Sequence, residues 1–163
     1  MTYSEFNQII ALLGDADEGE ENYKAGKKFS SLRIEGTEEM LEAICSLLPN
    51  FLCIDLYDVR SSISGEFIES FALNSSSSEL LEKLKTATSR LLSREGIETK
   101  SCLISITCKQ KELLKNKDAL LIKDCLTPFK SQHQIEIWWV PNLNSKIESD
   151  IRLYFIHEYN KTQ

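Results

Sequence analysis

Asp55 and Asp58 are the two acids whose spacing most suggests chemistry in this 163-residue sequence. Carboxylates three residues apart around a helix start can point the same way. Such a pair can polarise a water or hold a cation beside a phosphate. The same spacing also serves a plainer purpose. Asp55 can cap a short helix while Asp58 lies in its first turn, where the helix dipole favours an acid. Tyr57 lies between the two and belongs to the same candidate binding segment.

Other chemistry finds little local support. The six glycines lie at 14, 19, 26, 36, 65 and 96. A phosphate cradle needs clustered glycines so that N–H groups converge on the anion, and these are dispersed. No P-loop, dinucleotide fingerprint or G-x-S-x-G elbow occurs. Asp15, Asp17 and Glu18 fall short of a calcium loop, because Gly19 comes one place early and Gly26 stands at the twelfth position. Cys45, Cys53, Cys102, Cys108 and Cys125 are odd in number and lack a CxxC, so they read as free, mostly buried thiols in a reducing compartment. His133 and His157 lie far from any cysteine pair, which argues against zinc. His157, in an apolar strand, reads as a hydrogen-bonded structural histidine. An enzyme would need a cleft built from Asp55, Asp58 and a histidine, and nothing in the sequence aligns them. No catalytic residue, cofactor or metal site is therefore assigned.

The totals fit one compact α/β domain that buries roughly 70% of its unfolded surface. Net charge is −6, which repels a polyanion and argues against nucleic acid. Lys109, Lys111, Lys115 and Lys117 come closest to a basic patch, but Glu112 and Asp118 dilute them and a solvated helix face is expected. The N-terminus lacks the features of a signal peptide, and no apolar run nears the roughly 20 residues that span a bilayer. The expectation is a cytoplasmic protein without membrane contact.

The elements that must position the candidate residues follow from periodicity. Thr2 and Glu5 form a capping box for a helix with Phe6, Ile9, Ile10 and Leu13 on one stripe, closed by Gly14. An acidic linker follows over 15–28, then a short strand over 29–34. Thr37 caps a helix carrying Met40, Leu41, Ile44, Leu47 and Leu48, stopped by Pro49. A strand over 51–56 leads to a short helix at 58–63. Next come a strand over 66–73 and a helix capped by Ser76 and Glu79, with Leu80, Leu81, Leu84, Ala87, Leu91 and Leu92 on one side and Gly96 at its close. Residues 102–107 are apolar on both faces and predict a central strand. A helix marked by Leu113, Leu114, Leu120, Leu121, Cys125 and Leu126 ends at Pro128 and breaks near Asn116. Strands over 134–140 and 151–158, joined by a polar loop, read as an antiparallel pair. In the first of these Trp138 shares a face with Gln134 and Glu136. It is either an exposed anchor for a partner or a residue covered by a helix or loop, the more ordinary case.

Three segments, in order, resemble the C-terminal half of the FtsZ/tubulin-like cell-division family. Cys53-Ile54-Asp55-Leu56-Tyr57-Asp58-Val59-Arg60 is similar to that family's Asn-Val-Asp-Phe-Ala-Asp-Val-Lys loop. Cys102–Thr107 resembles its Val-Leu-Ile-Asn-Ile-Thr strand. Ile135–Pro141 with Asp150–Ile156 resembles its final strands. The resemblance covers about residues 37–159. It departs where Cys53 replaces the loop's Asn and Cys108-Lys109 replaces a Gly-Gly turn. The family's GTP-binding domain has no counterpart in residues 1–36.

The resemblance implies an α+β fold (an α/β two-layer arrangement) with a mixed four-stranded sheet and helices packed on it. It divides the chain into an N-terminal helix and linker, 1–36, and an FtsZ C-terminal-like domain, 37–163. In the family the two aspartates reach a neighbour's GTP site, and Asp55 and Asp58 occupy those positions. The implied function is non-enzymatic binding or modulation of an FtsZ-like polymer. The partner is then a protein, either an FtsZ-like homologue or a second copy. The alternative is a divergent domain of the same fold that regulates through a small ligand or serves an unrelated assembly.

Overall fold

The computed structural model describes residues 1–14, 32–48 and 56–163. The acidic linker, residues 29–31 of the first predicted strand, residues 51–55 of the next, Pro49, Cys53 and Asp55 lie outside the described residues. Helix α1 spans Tyr3–Gly14 and α2 spans Thr37–Leu47. The short α3 spans Leu56–Ser61, followed by strand β1 at Phe67–Ser75 and α4 at Leu80–Leu92. Strand β2 runs Ile97–Cys108, a 3-10 turn covers Lys111–Leu113, and α5 spans Asn116–His133. Strands β3, Glu136–Leu143, and β4, Ile151–Lys161, complete the chain.

The four strands form one mixed sheet in the order β1-β4-β2-β3. β4 pairs antiparallel with both β1 and β2, and β3 pairs parallel with β2. The expected antiparallel pair of final strands is thus corrected. β2 lies between them, so the polar connection at 144–150 crosses its end instead of forming a hairpin. The central placement of β2 agrees with its composition, since every residue from Ser101 to Cys108 is buried.

Period-2 alternation sends successive side chains to opposite faces, and both faces are covered. Leu103, Val140, Ile156 and Ile68 pack with α1, α2 and α3, through Phe6, Ile9, Met40, Ile44 and Val59. Ile104, Ile106, Leu153 and Phe155 pack with α4 and α5, through Leu84, Leu91, Ile122 and Leu126. The mixed four-stranded sheet with helices on it stands as expected. Helices on both faces make three layers where the sequence suggested two.

Local chemistry explains the element ends. The Thr2 backbone N–H donates to Glu5 Oε2 at 2.6 Å and the Glu5 N–H returns to Thr2 Oγ1 at 3.3 Å, the expected capping box. Met1 and Thr2 run beside β1: the terminal ammonium donates to the Ile68 carbonyl at 2.9 Å, and the Ile68 N–H donates to that of Met1 at 2.9 Å. Residues 32–34 carry no strand. Thr37 does not cap α2. Gly36 holds the N-cap in a left-handed conformation, φ +78°, and the Thr37 hydroxyl donates back to the Ile34 carbonyl at 2.7 Å. α4 starts one turn later than the Ser76–Glu79 pair, whose side chains bond each other at 3.1 Å in the turn before it.

α5 departs furthest from expectation. Pro128 lies inside the helix and does not end it. Its ring removes the bond to the Asp124 carbonyl. Both residues are on the exposed face, where the freed carbonyl is open to solvent, while Leu126 and Phe129 hold the inner face to the core. Leu120 and Leu121, among the apolar residues that marked this helix, are 64% and 47% exposed, while Ile122 faces inward. The four lysines do not share a helix face. They spread over the turn after β2, the 3-10 segment and the start of α5, where the Lys115 N–H donates to Asp118 Oδ2 at 2.7 Å.

Candidate functional site

α3 presents two of the sequence-derived candidates. Val59 and Ile63 are buried in the core and fix the inner side of this segment. That leaves Tyr57 outward, 75% exposed, with Asp58 and Arg60 also exposed. The helix covers Leu56–Ser61 and starts two residues before the position read from the sequence, so Asp58 lies in its first turn. Serines secure its C-terminal end: the Ser61 hydroxyl donates to the Asp58 carbonyl at 3.1 Å and that of Ser62 to Val59 at 2.9 Å.

The segment between α3 and β1 is held by the end of β4. The Ser64 N–H donates to Glu158 Oε1 at 2.6 Å, and the Ser101 hydroxyl donates to the other oxygen of Glu158. The Glu66 N–H donates to Asn160 Oδ1 at 2.9 Å. Glu158 is 1% exposed, and the bare Cα of Gly65 packs directly on its side chain. Glu158 and Asn160, two apart on one face of β4, therefore fix where α3 presents Tyr57. Sequence reading missed this pair. The available signal was an acid, Glu158, at the end of the last predicted strand, a position that requires donors if it is buried.

Trp138 lies in β3 at the sheet edge and is 54% exposed, so the covered reading is overturned. An edge strand has a neighbour on one side only, which leaves the ring open to solvent. Its pleat direction is shared with Val140 and with Asn142, whose Nδ2 donates to the Ser46 carbonyl of α2 at 2.8 Å. Lys130 Nζ lies 5.9 Å from the ring centroid and 3.1 Å from Glu136 Oε2. Trp138 thus belongs to the α2 side of the sheet, the side on which α3 packs. α3 rests on α1 beside β1, and β3 forms the opposite edge.

His157 is fully buried and hydrogen-bonded at both ring nitrogens. Nδ1 lies 2.9 Å from Glu69 Oε1 and Nε2 lies 2.9 Å from Thr99 Oγ1. Arg94 bonds the same Glu69 oxygen, and Tyr159 stacks on the imidazole. The bond from His157, helped by the charge of Arg94, holds the Glu69 carboxyl below its usual range, against an opposing effect of burial. Glu69, His157 and Thr99 come from β1, β4 and β2, and form a polar ladder across three strands. This is the structural histidine expected from the sequence.

The described thiols are poor nucleophiles. Burial pushes Cys102 up to about 12 and Cys45 up to about 11. Burial also raises Cys108 to about 11, with Asp118 adding to the rise. Among the described residues no helix is long and apolar enough to cross a membrane.

No family model matches the chain, and no curated protein sequence matches it. Solved structures do. The empty FtsZ dimer of M. jannaschii aligns over 91% of this chain and 42% of that one, at 15% identity and TM-score 0.50. CetZ1 from Haloferax volcanii, a GDP-bound monomer, aligns over 78% and 38%, at 12% identity and TM-score 0.44. Thiamine monophosphate kinase from Aquifex aeolicus aligns over 56% and 33%, at 17% identity and TM-score 0.37. The chain spans less than half the length of each. The first likeness shows a tubulin/FtsZ-like fold; the other two are too loose to carry an argument.

Proposed function

We propose that this chain is a non-enzymatic protein–protein interaction domain whose residues 37–163 correspond to the C-terminal half of FtsZ, and that it binds and modulates an FtsZ-like polymer in cell division. The observation that carries the reading is Tyr57, 75% exposed on a short helix anchored from beneath by Val59 and Ile63. A tyrosine whose backbone is already held has only its two side-chain torsions left to fix on binding, which makes it an efficient anchor. Asp58 follows it on the same exposed helix, and by sequence Asp55 precedes both.

The test is co-sedimentation of a purified FtsZ-like homologue, polymerised with GTP, with and without an excess of this chain. The pelleted fraction should change. A Tyr57→Ala/Asp58→Ala double variant with an unaltered melting curve should lose the effect. The chain alone should neither bind nor hydrolyse GTP. An unchanged pellet at excess would sink the proposal.

A further inference from the structure

We propose that the outer edge of β3 is the pairing edge of a homodimer, in which two copies join their sheets antiparallel about a twofold axis at Trp138. This deepens the reading of the chain as an interaction domain by naming one partner, a second copy, and the surface that meets it. Among the described residues nothing pairs with that edge.

The backbone fixes which groups are offered. In a strand, consecutive residues aim their N–H and C=O groups to opposite sides. The Asn144 N–H donates to the Cys108 carbonyl of β2 at 2.9 Å, so even-numbered residues face β2 and odd-numbered ones face outward. Pro141, which has no N–H, accordingly falls on the outward side, the side a proline in a sheet requires. The Leu143 N–H is taken by Asn142 Oδ1 at 2.8 Å. The outward donors left on the strand are those of Ile137 and Trp139, each with its carbonyl.

Two such edges match each other in antiparallel register. With Trp138 opposite its own copy, Ile137 of one chain faces Trp139 of the other. Each facing pair then exchanges both bonds, about four in all, and Pro141 is left outside the bonded region. Trp138 meets Trp138 at the non-hydrogen-bonded position, where opposed side chains come closest, and the ring now exposed becomes covered. Charge agrees with this choice of surface. The chain carries −6, yet β3 has the single acid Glu136, and Lys130 compensates it at 3.1 Å. Two acidic molecules can approach along this strand without facing like charges.

Light scattering on the full chain at about 100 µM should give twice the chain mass, with dilution producing monomer. Trp138→Glu should weaken dimerisation about tenfold or more while leaving the far-UV spectrum unchanged, since the ring is half exposed. Register is read by oxidative cross-linking. In Trp138→Cys the two thiols meet at a Cα separation of about 4.5 Å, within disulfide reach. In Glu136→Cys they lie about 14 Å apart across the twofold and should not link. A monomer at that concentration, a dimer untouched by Trp138→Glu, or cross-linking through position 136 and not 138 would each overturn the proposal. None of these results bears on sedimentation of the homologue, and an unaltered homologue pellet leaves the dimer standing.

Discussion

Gly65→Ala should destabilise the protein by about 2–3 kcal/mol, and the loss should depend on Glu158. A methyl built on Gly65 would lie 2.6 Å from Glu158 Cγ, 2.8 Å from Oε1 and 3.2 Å from Cδ. Carbon atoms in contact sit about 3.5–4.0 Å apart, so something must move. The obstructing atom is Cγ, midway along the side chain. Relief therefore requires the whole carboxyl group to swing out of a site in which Glu158 is 1% exposed. That breaks the bonds from the Ser64 N–H and the Ser101 hydroxyl. Two hydrogen bonds contribute about 1 kcal/mol each, and residual overpacking adds about 1 kcal/mol, the low end of its range, because the side chain has moved aside. Against this, alanine restricts the unfolded chain and returns about 0.4–1 kcal/mol. The backbone at Gly65 is no obstacle, because its φ lies outside the left-handed region.

Urea denaturation of a double-mutant cycle measures the effect. In a Glu158→Ala background the obstructing Cγ is gone, and the added methyl should cost less than about 1 kcal/mol. The coupling between the two positions is then about 2 kcal/mol. Hydrogen exchange at residues 57–66 should quicken in Gly65→Ala, because the connection that positions α3 has come loose. An equal loss of stability in both backgrounds would refute the reasoning.

Two further outcomes follow from other parts of the fold. The folded-state value of the Glu69 carboxyl lies below its reference of 4.5, so the stability it adds is present above that pH and drains as pH falls through the folded value. Glu69→Gln should give a shallower acid limb than the parent in stability measured from about pH 6 to pH 3. Pro128→Ala restores an N–H opposite the Asp124 carbonyl on an exposed helix face. It should raise stability by about 1–3 kcal/mol, read as a higher urea midpoint; a lower midpoint would contradict the account of the proline as a tolerated defect.

Some features were legible because their causes are local. The capping box of Thr2 and Glu5 needs only residues three apart, and it forms. In the stripe of α4, Leu80, Leu84, Ala87 and Leu91 are buried, and Leu81 and Leu92 pack half-buried beside them. Apolar residues on both faces of the segment from Cys102 predicted a strand covered on both faces, and β2 has neighbours β4 and β3. The errors fall where a local rule competes with a distant contact. Proline ends helices in isolation, but packing of Leu126 and Phe129 carries α5 past Pro128. A polar loop between two strands usually makes a hairpin, but here β2 fills the place between β3 and β4. Trp138 could be placed on a face by alternation, whereas its exposure depends on β3 being an edge.

By itself, then, the amino-acid order determined most of the described helices and strands, the apolar stripes of α1, α2 and α4, and that a mixed sheet must be covered by helices. Those properties arise from residues within one or two turns of each other. Only the tertiary structure decided the strand order, the exposure of Tyr57 and Trp138, and the hold of Glu158 on Ser64 and Ser101. Glu158 is 94 positions from Ser64 and 57 from Ser101, so neither periodicity nor spacing connects them. They meet because burying both apolar faces of one sheet at once brings the end of β4 against the connection that carries α3 into β1.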